Sequence, residues 1–339
     1  MSLESVLSVA VAFVPVLSFL GAQQLMDSYK LVPPLRILLS VAAGAAAAGA
    51  SYFLNSWGFD VFRHYTYAYA SLGAPVVEEL AKSCWWIFLI ATARVAFMVD
   101  AAICAFAVGA GFALVENVFY LHVLAGNGIA VFILRGLGTA MMHGGVAAIA
   151  AMLCILFSER YGWRGVRLFA PGLLAAIAIH SLFNLGFVPP VASTLITLIA
   201  LPVLLTVVFL WSETSLQQWL GDKLDQDIEL LNMIATGQLH QTRSGAYLQS
   251  LQDAFPPEIR GDMLCMLQLT IELSARAKGD LMLREAGFDV PHDPEIEAHF
   301  EELKYLQKSV GRTGLMAIAP LLSQTPRDLW EMHRLAGGR

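Results

Sequence analysis

Charge is scarce in this chain. Asp, Glu, Lys and Arg make up 14% of its 339 residues, against 57% that are hydrophobic. Soluble domains carry about a quarter charged residues, so a wholly soluble globular protein is excluded. A basic excess is missing as well, and the net charge of −6 speaks against a nucleic-acid binder. No Lys or Arg stands ahead of the first apolar run, in Met1-Ser-Leu-Glu-Ser-Val-Leu7. A secretory leader needs that positive segment, so residues 3–24 are read as a retained first span. Cysteine is sparse and scattered: Cys84, Cys104, Cys154 and Cys265 form no C-x-x-C pair. That leaves neither a disulfide framework nor a thiolate metal site. G-x-S-x-G is absent, and Ser83 and Ser181 have no motif around them, which removes a serine nucleophile elbow. H-E-x-x-H is absent too, so no single-helix zinc motif is present.

Long apolar runs are abundant. A membrane span takes about 20 mostly apolar residues. Seven stretches qualify, at 3–24, 35–54, 67–93, 98–121, 128–157, 166–187 and 190–211. The expected fold is all-α: a polytopic membrane bundle of about seven helices over 1–212, then a helical cytoplasmic domain over 213–339. The small-residue run Ala42–Ala50 in the second span permits very close helix packing. Pro75 in the third span frees a carbonyl and should bend the helix. The fifth span is long and broken by glycines, so a tilt or kink is expected. Basic residues sit in the loops after spans 1, 3 and 5: Lys30 and Arg36, then Arg94, then Arg160, Arg164 and Arg167. The other loops hold only Arg63. Positive-inside bias then places the N-terminus outside and the tail in the cytoplasm.

Against this apolar background, four consecutive spans carry ionisable groups. The third holds Glu78, Glu79 and Lys82, and each carboxylate in hydrocarbon costs at least a few kcal/mol. Lys82 lies three and four residues beyond the pair, on the same helix face. It can neutralise one carboxylate and leave the other free. Two adjacent carboxylates cannot both ionise cheaply at low dielectric, the setting for a general acid or base. In the fourth span Phe112, Glu116 and Tyr120 form one stripe, with Asn117 beside it. The fifth carries Arg135, Thr139 and His143 at the same spacing, and the sixth carries His180 and Asn184 one turn apart. A lone intramembrane His or Asn is most often helix glue. Ionisable groups at helical spacing in four successive spans mark a site.

This ordered set, E-E-x-x-K at Glu78–Lys82, F-x-x-x-E-N-x-x-Y at Phe112–Tyr120, His143, and H-x-x-x-N at His180–Asn184, resembles the PrsW family of intramembrane peptidases. That family is grouped with the CAAX prenyl endopeptidases and the multi-spanning scaffold of γ-secretase. The resemblance covers residues 60–190 and leaves the tail unexplained. It implies a glutamate-type protease of the bacterial plasma membrane, clipping a single-span protein such as an anti-sigma factor. One of Glu78 and Glu79 would activate water, and His143, His180 and Asn184 would bind the scissile carbonyl. Glu116 stands where the prenyl endopeptidases have histidine, so it either shares a proton with the Glu pair or orients a histidine. The expected catalytic set is Glu78, Glu79, Lys82, Glu116, Asn117, His143, His180 and Asn184. Glu79 is preferred as base, with Glu78 paired to Lys82 or structural, and the reverse assignment stays open.

No cofactor is expected. The competing mechanism is zinc held by Glu79, Glu116, His143 and His180, an acceptable hard and borderline donor set. Competing functions are a non-catalytic scaffold or chaperone that holds a partner helix, and a proton-coupled transporter. The expected partners are a membrane-protein substrate and the lipid bilayer. The tail shows amphipathic repeats such as Leu216, Trp219, Leu220, Leu224, Ile228 and Leu231, punctuated by Pro256-Pro257, Pro291 and Pro294. It is open to a regulatory partner or self-association. Its Asp289, His292 and Asp293 are read as a solvated turn.

Overall fold

The computed structural model describes residues 3–123, 129–290, 293–322 and 325–336, and no strand occurs among them. His292 and Pro291 lie outside the described residues. The chain forms two compact units, Met1–Ser212 and Glu213–Arg339.

The first unit is built from α1 (Leu3–Met26), α2 (Pro34–Val61), the short α3 (Thr66–Ala68), α4 (Ala74–Ala91), α5 (Met98–Val123), α6 (Ile129–Ile133), α7 (Ala140–Tyr161), α8 (Val166–Asn184) and the first part of α9 (Pro190–Ala235). Among the described residues, six helices are long and apolar enough to cross a membrane: α1, α2, α5, α6 continued by α7, α8, and α9. Seven were expected. The remaining one is α4, whose Glu78, Glu79 and Lys82 depress its apolarity, although it packs against α2, α5 and α8. The last expected span ends near 211, whereas α9 continues to Ala235. Beyond Pro202 its amphipathic repeat carries on through Gly221 with no further proline, and the helix ends just before Gly237.

α5 is the axis of this unit, buried without interruption from Met98 to Ala113. Glycines let its neighbours reach it. A Cβ on Gly44 of α2 would overlap the Val108 carbonyl of α5, and one on Gly111 of α5 would overlap the Val41 carbonyl of α2. Gly109 meets the His143 backbone of α7 in the same way. Such contacts bring helix backbones together without a side chain between them.

Two π-helical segments interrupt the helices ahead of the polar residues. Tyr69–Gly73 joins α3 to α4, and Leu134–Thr139 joins α6 to α7. In the first, Pro75 lacks the N–H that an α-helix would offer to the Ser71 carbonyl, so a wider turn replaces it. One lies just before the Pro75 expected to bend its helix, the other in the fifth span, where a tilt or kink is expected.

The second unit contains the rest of α9, then α10 (Arg243–Ser250), α11 (Pro257–Glu285), α12 (Pro294–Ile318) and α13 (Pro326–Leu335). Prolines open α11, α12 and α13 at their first turns, where no N–H is missed. Asp293 caps α12 by accepting from the Glu295 amide. The core is Met263, Met266, Leu267, Leu273, Leu306, Val310 and Ile318. One buried charge cluster interrupts it. Lys278 Nζ reaches Asp227 at 2.9 Å, Ser274 at 2.5 Å and Glu331 at 3.1 Å. Burial raises the Glu331 carboxyl from 4.5 to about 7, against the pull of Lys278. The folded value lies above the unfolded one. The stabilisation is therefore complete below about 4.5 and is lost as pH rises through about 7. The full swing is on the order of 3 kcal/mol. Hydrogen exchange of the α13 amides, compared between the wild type and Glu331→Gln at each pH, should show the wild type losing relative protection from about pH 5 to about pH 8. A constant difference between the two proteins across that range would refute this.

Candidate active site

The ionisable residues of four helices meet around α4. Glu79 is buried, and its Oε1 lies 2.5 Å from Lys82 Nζ and 2.7 Å from His180 Nδ1. Lys82 is wholly buried, with its ammonium also 3.1 Å from His143 Nδ1 and 4.8 Å from the Phe112 ring centroid. An ammonium only donates, so His143 Nδ1 must accept and the ring proton sits on Nε2. That nitrogen is 3.0 Å from Glu116 Oε2, to which it donates. The His143 and His180 rings meet edge to face, with centroids 4.9 Å apart. Arg135 closes the arrangement, 3.0 Å from Glu116 Oε1 and 3.4 Å from the Tyr120 ring centroid. Buried charges persist only when each is paired and hydrogen-bonded, and this network meets that condition for Glu79 and Lys82.

Glu78 faces the other way. Its Oε1 accepts from Asn55 Nδ2 of α2 at 3.1 Å, and its Oε2 lies 3.8 Å from His180 Nε2. The 3.8 Å between Oε2 and Nε2 is beyond a direct hydrogen bond, a gap that a water or a cation can bridge. Glu78, Arg135 and Glu116 keep 16, 17 and 25% of their side-chain surface, and are the less buried members of the cluster.

Six of the eight expected site residues thus converge: Glu78, Glu79, Lys82, Glu116, His143 and His180. The pairing within α4 is the reverse of the preferred one. Lys82 binds Glu79, because Glu79 turns inward toward His180 while Glu78 turns toward α2. Glu116 lies against a histidine, His143, rather than against the Glu pair. Asn117 donates to the Ala12 carbonyl of α1 at 2.8 Å, and Asn184 is exposed and donates to Ala70 at 3.3 Å in the first π segment. Asn55 and Tyr69 were missed. A single Asn in an apolar span looks like helix glue, and only the fold shows what it touches. Arg135 had the right spacing but stood outside the expected set.

A metal group is also present. One ligand atom each of Glu78, His143 and His180 lie within 4.8 Å of one another. Two imidazoles and one carboxylate are a donor set used by catalytic zinc. The expected zinc set had Glu79 and Glu116 in place of Glu78; Lys82 and His180 engage Glu79, just as Lys82 and Glu116 engage the two ring nitrogens of His143.

A family model described as PrsW family intramembrane metalloprotease matches residues 33–212. No curated protein and no solved structure matches the chain. The word metalloprotease runs partly against the expectation of no cofactor, and the Glu78–His143–His180 group agrees with that word. The match takes in every residue of the polar cluster and just over half of the chain, and the chain belongs to the PrsW family of intramembrane proteases.

Proposed function

We propose that this protein is a metal-dependent intramembrane endopeptidase that hydrolyses a peptide bond of a single-span membrane protein. The observation that carries the reading is the convergence of Glu78, His143 and His180 in front of a buried Glu79–Lys82 pair. Those three residues would hold a zinc ion, for which His143 would exchange one of its two hydrogen bonds, to Lys82 at Nδ1 or to Glu116 at Nε2, and stay a neutral imidazole. Bound there, the ion supplies a Lewis acid for the scissile carbonyl and makes water acidic enough to deprotonate near neutral pH.

The protein's own residues do the rest. Glu79 accepts from His180 Nδ1 and so aims Nε2 at the site, the carboxylate–histidine support common to metal ligands. Lys82 balances the Glu79 charge. Glu116, anchored by Arg135, takes the proton at Oε2 when water attacks and passes it to the leaving amine nitrogen as the C–N bond breaks. Arg135 offers its remaining donors to the carbonyl oxygen as charge develops there.

The loop asymmetry of Lys and Arg supports an outside N-terminus and an inside tail. The ends of α2, α5 and α8 would then face the non-cytoplasmic side. Asn55, Glu116 and His180 lie toward those ends, which favours cleavage near a substrate's outer juxtamembrane segment. Regulators such as anti-sigma factors are substrates of this kind.

The test compares membrane-protein fragments from cells carrying the wild type, His143→Ala or His180→Ala at equal abundance. A trimmed single-span protein should vanish in both variants. The purified protein should also lose its cleavage after treatment with a strong chelator and regain it with zinc. Cleavage that survives chelation would return the mechanism to a metal-free glutamate base. A lost phenotype with unchanged fragments would point to a scaffold.

A further inference from the structure

The Glu78 carboxylate is held from behind by a two-residue relay. Asn55 Nδ2 donates to Glu78 Oε1 at 3.1 Å, and the Tyr69 hydroxyl donates to Asn55 Oδ1 at 3.0 Å. The order of the relay is set by chemistry. A carboxylate only accepts, so the Asn55 amide must turn its NH2 toward Glu78, and its carbonyl then requires a donor. Tyr69 supplies one from the start of the π segment that precedes α4.

The fold is shaped to seat that tyrosine. Its ring stacks on Phe62 with centroids 5.5 Å apart at 14° and meets Phe59 edge-on at 4.9 Å. A Cβ on Gly58 would overlap the Tyr69 hydroxyl, and one on Gly73 would crowd its ring. Gly58 has an ordinary helical backbone in the last turn of α2, where its conformation does not require glycine. Room for the tyrosine is what its missing side chain provides.

We propose that Asn55 and Tyr69 are positioning residues that bind Glu78 Oε1 so that Oε2 faces His180, and that Gly58 is the seat of this relay. The inference rests on Glu78 being a metal ligand, as set out under the proposed function. Neither Asn55 nor Tyr69 touches the reacting atoms. Both act through Glu78, as outer partners of a ligand do when they fix its orientation.

The test uses the detergent-solubilised full chain titrated with zinc against a competing chromophoric chelator, and with cobalt(II), whose visible bands report ligand number and geometry. Glu78→Gln should lose most zinc affinity. Asn55→Leu should weaken zinc about 10- to 100-fold and shift the cobalt bands, because the carboxylate is free to turn. Tyr69→Phe keeps the ring and removes only the hydroxyl, and should cause a smaller shift in the same direction. Gly58→Ala should reproduce Tyr69→Phe. The double variant Asn55→Leu/Tyr69→Phe should be no worse than Asn55→Leu alone, since the two residues act as one unit. A purely structural defect would lower the folded fraction without moving the bands.

Two results would overturn the proposal, and they differ. If Glu78→Gln abolishes binding while Asn55→Leu and Tyr69→Phe match the wild type in affinity and spectrum, the relay is wrong and the metal site stands. If Glu78→Gln binds zinc as the wild type does, Glu78 is not a ligand, and both readings fall.

Discussion

Glu78→Gln should lower the rate of peptide cleavage by about 1,000-fold, roughly 4 kcal/mol of transition-state stabilisation, while the protein stays folded. Glu79→Gln should do something different. Glu78 is partly exposed and bonded to a neutral amide, so a neutral glutamine fits its place and even relieves charge near the cluster. Glu79 is the counter-charge of a wholly buried lysine. Its neutralisation leaves Lys82 buried without an anion, and several kcal/mol of stability should be lost. Initial cleavage rates together with melting temperatures separate the two. If Glu79→Gln is inactive at full stability and Glu78→Gln keeps its activity, the roles assigned to the two glutamates are reversed.

The second large effect concerns Lys82→Met. The side chain is similar in length, so packing beside Phe112 is nearly conserved and the charge is the main change. Glu79 then lies buried with only His180 as partner, and His143 loses the donor on Nδ1. Breaking one side of a buried pair costs about 3–5 kcal/mol, whereas removing both sides is often close to neutral. Thermal unfolding of the detergent-solubilised chain should show a marked loss for Lys82→Met. Most of that loss should be recovered in Lys82→Met/Glu79→Gln. The double variant should remain inactive, because His180 no longer has a carboxylate behind it. Equal melting of Lys82→Met and wild type would mean that the pair contributes nothing to the folded state.

Much of this protein was legible before any coordinates. Low charge and long apolar runs imply a membrane bundle, and ordered polar motifs point to the PrsW family. Helical periodicity also gathers Phe112, Glu116 and Tyr120 on one stripe, and Arg135, Thr139 and His143 on another. These inferences are local, because a helix of 3.6 residues per turn dictates which side chains share a face.

Partner choice is not local. Adjacent residues on a helix point about 100° apart, so Glu78 and Glu79 must face different neighbours. Which neighbour each one meets depends on how α2 and α8 lie against α4. The deciding bonds join residues 23, 61 and 101 positions apart: Asn55 to Glu78, Lys82 to His143, and Glu79 to His180. The sequence by itself determined that the chain is helical, membrane-embedded and of this family, since composition and periodicity act over a few residues. Only the tertiary structure decided that Lys82 belongs to Glu79, that Glu78 joins the two histidines, and that Asn55 and Tyr69 stand behind it. Those contacts exist only once glycine-lined helices have closed on one another, and helix spacing along one chain segment carries no record of them.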